Sequence, residues 1–348
     1  MRKRWIRWGV LAVSLVVLIV IIWSVGAQGL FETLIGLDPR YVTLAVVSYS
    51  GVHLAWAIKW YILVKKPLKA AYFPFVLLAN LTGNFINITT PSGRMAGEPI
   101  RAGAVSRRFK GKFSKVFATA MVDKMGLTIA MILLLIPIII FAYHEFDMPP
   151  LLKYFLIIFF IFWAAVGLAS YVIFRGMTRT KAERMGTWVY HVTRFLHRDK
   201  GSKREHIVGK IRDGLTDFRQ SFKELAKNPL IIIIDVILGI TTYAFRFFAA
   251  YMFFLAVGAP TNIFIVATAV HISFIIGLIS QLPGMVGIGE STQTALYLAM
   301  GVDPTKALTV AILTQLNTYL YELGLGYLAM FTMNVEYDVS KRRALDRR

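Results

Sequence analysis

Cysteine is absent from all 348 residues. That excludes disulfides, thiolate metal sites and cysteine nucleophiles, and it leaves the compartment open. Acidic residues are scarce, with 19 Asp and Glu against 39 Lys and Arg, for a formal net charge of +20. His53 and His271 stand isolated, without the clustered ligands that a zinc site needs. No GxxxxGK[ST], HExxH or GxSxG pattern occurs, so the familiar soluble chemistries lack their signatures. The glycine-rich run Gly284–Gly289 follows no strand of a βαβ unit and is not a dinucleotide fingerprint.

Apolar residues fill the space left by these absences. The chain is 57% hydrophobic with a mean hydropathy of +0.61, where soluble domains lie near 45–50% apolar. Several runs reach the roughly 18–25 residues that span a bilayer. In a soluble protein the positive charge would point to nucleic acid. Here most Lys and Arg fall between apolar runs on one side, as the positive-inside rule requires. Nucleic acid is therefore not an expected partner.

The basic start, MRKRWIRW, and the uncharged run Gly9–Gln28 predict a first span running inside to outside. That run exceeds the apolar length of a signal peptide. Tyr41–Val64 is a second span, with Lys59 snorkelling to the inner interface. Val116–Tyr143, Leu151–Phe174, Pro229–Val257 and Lys306–Met333 are further spans. Between them, Ile207, Ile211, Leu215, Phe218, Phe222 and Leu225 recur at helical spacing, and a second such pattern runs from Met185 to Phe195. This connector reads as an amphipathic hairpin on the cytoplasmic leaflet.

Two apolar stretches are broken by polar residues. In the first, Pro91 lies seven residues before Glu98, with Gly97 just ahead of it; in the second, Pro283 precedes Glu290 by the same interval, with Gly289 just ahead. The first begins and ends beside inside basic clusters, so it crosses an even number of times. Its return leg, Arg94–Ser106, is about 13 residues or about 20 Å as a helix. A re-entrant hairpin fits that length. The second break starts and ends outside.

The fold expected is an all-α polytopic membrane protein. It has about six full transmembrane helices plus two re-entrant helical hairpins in an inverted-repeat arrangement, with both termini cytoplasmic. It forms one transmembrane domain, 1–348, with halves at 41–143 and 229–333 and a cytoplasmic connector at 175–228.

Charged residues inside a bilayer are costly and mark function by default. Arg94, Glu98, Arg101, Asp123, Arg246, Glu290 and Glu322 are such residues. Each returning helix offers unsatisfied N–H groups and a positive dipole end. Arg94 and Arg101 add guanidinium groups suited to phosphate, and Asn84 and Asn87 add amides. Each has a structural alternative. Glu98 and Glu290 either meet a substrate or complement a helix start; Glu98 also stands at pairing distance from Arg101 along a helix. Asp123 either pairs locally with Lys124 or joins the site. Asp235, Arg246 and Glu322 either form interhelical ion pairs or contact substrate. Pro91, Gly93, Gly97, Pro283, Gly284, Gly287 and Gly289 serve the turns. No cofactor and no metal is expected.

Three patterns carry a resemblance. They are N-x-T-x-P-S-x-x-x-x-G-E-P-x-R at Asn87–Arg101, V-D-K-x-G at Val122–Gly126 and L-P-G-x-x-G-x-G-E at Leu282–Glu290. Together they resemble the lysylphosphatidylglycerol synthase transmembrane region, a flippase-like family, over nearly the whole chain. Lys124 stands where Arg is expected, and Met285 where a second Gly is usual. Some members carry a soluble aminoacyl-transfer domain. With only a short basic tail after Met333, the resemblance implies the lipid-moving part and no enzyme activity. It implies an aminoacylated phospholipid or a polyisoprenyl-phosphate-linked lipid as cargo, in a multi-pass protein of the cell membrane. Partners are then membrane lipids with anionic head groups, with a homo-oligomer left open. An intramembrane lipid-phosphate enzyme and a small-solute or ion transporter are the alternatives.

Overall fold

The computed structural model describes residues 27–90, 94–145, 204–280 and 282–333, with five single positions between 154 and 165. Most of the first expected span, the fourth span, the Met185–Phe195 pattern, the C-terminal tail, Pro91 and Gly93 lie outside the described residues. Among the described residues every regular element is helical.

In chain order these are α1 (Ala27–Ile35), α2 (Pro39–Val64), α3 (Phe73–Thr89), α4 (Gly97–Arg108), α5 (Phe113–Glu145), α6 (Arg204–Ala226), α7 (Pro229–Ala256), α8 (Ile263–Ser280), α9 (Ile288–Ala299) and α10 (Pro304–Tyr319). A 3-10 turn, Pro283–Met285, separates α8 from α9, and a π turn, Leu320–Leu325, carries α10 on through residues 326–333. Helix starts follow local chemistry. Asp38, Asn228 and Asp303 each cap a following N–H, and a proline occupies the first helical position of α2, α7 and α10.

Helices α2, α5, α7 and α8 are long and apolar enough to cross a membrane. Their outer faces are apolar at helical spacing. Ile129, Leu133, Ile136 and Ile140 are exposed along α5, and Leu230, Ile233 and Ile237 along α7. Such faces need lipid. The protein is an all-α polytopic membrane protein.

Two antiparallel hairpins interrupt this pattern. In the first, α3 and α4 are pressed together where Gly83 meets Gly97; a Cβ on Gly97 would overlap the Gly83 carbonyl. Its two ends meet, with Arg108 Nη2 donating to the Tyr72 hydroxyl at 3.1 Å. The second pairs α8 with α9, where Ser273 Oγ donates to the Gly289 carbonyl at 2.8 Å. The legs are unequal. α3 and α8 have 17 and 18 residues, about 26 Å, whereas α4 and α9 have 12 each, about 18 Å.

α2 and α7 run antiparallel over most of their lengths. Ser48 Oγ donates to the Phe245 carbonyl at 3.3 Å, Gly51 leaves room for the Phe245 ring, and Lys59 reaches Asp235. In the C-terminal half of α6, Phe218, Phe222 and Leu225 of the apolar stripe are buried with Leu63, Ala118, Val122 and Ile231 at the ends of α2, α5 and α7.

Candidate functional site

Six charges form an unbroken file of alternating sign. Lys124 lies 3.1 Å from Glu98. Glu98 accepts from Arg101 Nε at 2.7 Å, and Arg101 Nη2 reaches Asp123 at 2.6 Å. Asp123 is 2.6 Å from Lys59 Nζ, which lies 3.2 Å from Asp235. The file joins α5, α4, α2 and α7. Its charges sum to zero when all six are ionised, and each is paired with a charge of opposite sign, as buried ions need to be. Arg101 also donates to Asn80 at 2.7 Å and lies 4.2 Å from the Trp60 ring centroid. Trp56 Nε1 donates to Asp123 at 3.1 Å.

Several expectations change here. Lys59 does not snorkel: its side chain is fully buried, and it donates to the Asp123 carbonyl as well as meeting two carboxylates. Asp123 does not pair with its neighbour Lys124, because successive residues point to different faces of α5. Arg101 is buried, and each of its three nitrogens already donates to a carboxylate or an amide. Asp235 has its partner on α2, as an interhelical pair. Gly126, in the V-D-K-x-G pattern, has a role sequence reasoning missed: its missing side chain makes room for the Asp235 carboxylate.

The second cluster lies where the two breaks meet. Arg94 donates from Nη1 and Nη2 to the two oxygens of Glu322, at 2.9 and 2.8 Å, a fork-on-fork pair. Lys124 Nζ donates to the Arg94 carbonyl at 3.0 Å, so this pair adjoins the six-charge file. Arg246 on α7 is close by. Its guanidinium lies 4.8 Å from the Phe274 ring centroid, and that of Arg94 lies 5.3 Å from the same ring. Tyr49 also faces Arg246, at 5.8 Å. Arg246 is half-buried, and its Nε is enclosed without a hydrogen-bond partner. Among the described residues it has no ion pair, so this cluster carries one cation more than it has anions.

The remaining candidates turn inward. Asn87 Oδ1 accepts from the Gly97 N–H at 2.7 Å, capping α4. Glu290 does the same for the chain entering α9, accepting from the Gly287 N–H at 2.8 Å. Both helix starts, expected as open anion sites, thus have a side chain of their own upon them. Asn84 lies 3.4 Å from His53, which stacks on Tyr321. Pro283 opens the 3-10 turn, and the Gly284 carbonyl accepts from Gln315 and Tyr319. Gly284 and Gly287 have φ of +66° and +79°, where a side chain is disfavoured.

Arg94 and Met285, one after each break, also have positive φ, 61° and 57°. Both line a cleft between the hairpins, with Asn87, Thr90, Gly277 and Leu282. Its volume is about 10 Å³, room for roughly one water. That is far less than a lipid head group needs. Among the described residues no three His, Cys, Asp or Glu side chains converge as metal ligands.

The profile described as "Lysylphosphatidylglycerol synthase TM region" matches residues 8–326. The chain belongs to this family. A UPF0104 membrane protein of Pyrococcus horikoshii is 24% identical over 323 residues, covering 90% of this chain and 93% of its own. Another, from Methanocaldococcus jannaschii, is 24% identical over 332 residues, with 95% and 96% covered. The three patterns that carried the resemblance thus belong to a lysylphosphatidylglycerol synthase TM region, and they supply Asn87, Arg101, Asp123, Gly126, Gly284 and Glu290. Arg246 and Glu322 lie outside all three.

Proposed function

We propose that this protein moves a phosphate-bearing lipid between leaflets without altering it chemically. The cargo class is an aminoacylated phospholipid or a polyisoprenyl-phosphate-linked lipid. The observation that carries this reading is the cation excess at Arg94, Glu322 and Arg246, set where two broken helices meet in a lipid-facing protein. A guanidinium without a carboxylate partner is costly inside a membrane, and an anionic head group would supply the missing charge.

The hairpins support a transport reading. Helices α2, α3, α4 and α5 correspond in order to α7, α8, α9 and α10. In this reading the two sets are inverted repeats, each hairpin is re-entrant from its own side, and the α3–α4 ends near Tyr72 and Arg108 mark the cytoplasmic face. Transporters of that plan hold their site between the halves. The narrow cleft is then the closed state, and the breaks part to admit a head group while the tails stay in lipid.

The test is transbilayer movement of a fluorescent anionic phospholipid in proteoliposomes. Arg246→Gln is expected to slow it at least about tenfold, the effect of losing about 1.4 kcal/mol of binding in the transition state. Movement unchanged by Arg246→Gln and by Glu322→Gln would overturn the assignment.

A further inference from the structure

Asp235 differs from every other member of the alternating file. Glu98 and Asp123 each contact two cations, and Lys59 and Arg101 each contact two carboxylates. The two ends have one charged partner each. One end, Lys124, is partly exposed; the other, Asp235, is 2% exposed. One oxygen of Asp235 lies 3.2 Å from Lys59, while Oδ2 is buried against Gly126 with no hydrogen-bond partner. An ionised carboxylate with an oxygen enclosed and unpaired is costly. A proton on that oxygen removes the cost.

Lys59 can spare this partner. It lies closer to Asp123, at 2.6 Å, and also donates to the Asp123 backbone carbonyl. Both contacts survive if Asp235 becomes neutral. The charged groups bearing on Asp235 are Lys59 from α2, Asp123 from α5 and, through Asp123, Arg101 from α4. Helices α6, α8 and α10 also pack on α7, and among the described residues none of their charged groups is within ion-pair distance of Asp235.

We propose that Asp235 is a proton-binding site, taking a proton from water on Oδ2 and giving up its tie to Lys59. Asp235 is the file's one member on the α7–α10 side of the molecule; the other five lie on α2, α4 and α5. Protonation therefore loosens one of the two ion pairs found, among the described residues, between the two sets of helices, the other being Arg94–Glu322. The site does not depend on the lipid reading. Joined to it, it makes the proton the coupling ion.

The experiment is infrared spectroscopy of the purified full chain in nanodiscs, with aspartate carboxyls labelled with carbon-13, from roughly pH 5 to pH 9. A labelled protonated-carboxyl band that appears as pH falls, and is lost in Asp235→Asn, is the expected result. Lys59→Met, which removes the competing ammonium, is expected to move that transition upward by about one pH unit or more. This variant also decides the matter if Asp235→Asn does not fold. No titrating band in the wild type, a band that survives Asp235→Asn, or a transition unmoved by Lys59→Met would each overturn the proposal. None of these readings requires lipid movement, so a failed flipping assay beside a titrating Asp235 would count against the lipid reading alone.

Discussion

Gly126 on α5 presents a bare Cα to the Asp235 carboxylate on α7, and a methyl group there would occupy the place of Asp235 Oδ2. Gly126→Ala is therefore expected to destabilise the protein by about 1–3 kcal/mol, the usual cost of overpacking. In an Asp235→Ala background the same change should cost less than about 0.5 kcal/mol, because the clash is gone. Thermal unfolding of the four proteins in one detergent measures both values. Equal losses in the two backgrounds would refute the contact.

The pair Arg94–Glu322 yields an asymmetric prediction. Glu322→Ala leaves two guanidinium groups without a carboxylate and is expected to cost about 3–5 kcal/mol. Arg94→Ala leaves Glu322 with Arg246 as a neighbouring cation, so it should cost at least about 1 kcal/mol less. Denaturation midpoints of the two variants give the order. The reverse order would mean that Arg246 takes no part in the balance.

Met285 has a backbone conformation that costs an L-residue about 1–2 kcal/mol. Met285→Gly relieves that cost and loses the side chain packed on Gly277, so stability should stay within about 1 kcal/mol of the parent. Met285→Val, β-branched in the same conformation, should lose about 1–3 kcal/mol. The cysteine-free chain gives a second readout. Thr90→Cys introduces a single thiol in the cleft, and its maleimide labelling should quicken when Met285→Gly is added.

Phe222 on α6 sits in protein rather than in lipid. Phe222→Ala should cost about 3–5 kcal/mol and make α6 a preferred site of limited proteolysis. Proteolysis that followed lipid composition and ignored this substitution would indicate a helix held by the bilayer.

Much of the framework was legible from residues alone. The period of Ile207 to Leu225 marks α6, and the Pro and Gly spacing marks both breaks within a few residues of their observed places. The cost of buried charge singled out Arg94, Glu98, Arg101, Asp123, Asp235, Arg246 and Glu322. Partner choice was not legible. Arg94 pairs with a residue 228 positions away, and Lys59 was within reach of the inner interface, where snorkelling costs less than burial. Which of two outcomes a lysine adopts depends on whether a carboxylate from another helix arrives beside it. Asn87 and Glu290 illustrate the same limit. A polar side chain near a helix start looks identical in sequence whether it waits for a ligand or already holds the N–H.

Helix α7 bears Asp235 near one end and Arg246 three turns further along, about 16 Å away. An α-helix resists compression along its axis, so it behaves as a push-rod between them. Any slide of α7 would therefore carry the guanidinium beside Phe274 along with the Asp235 carboxylate.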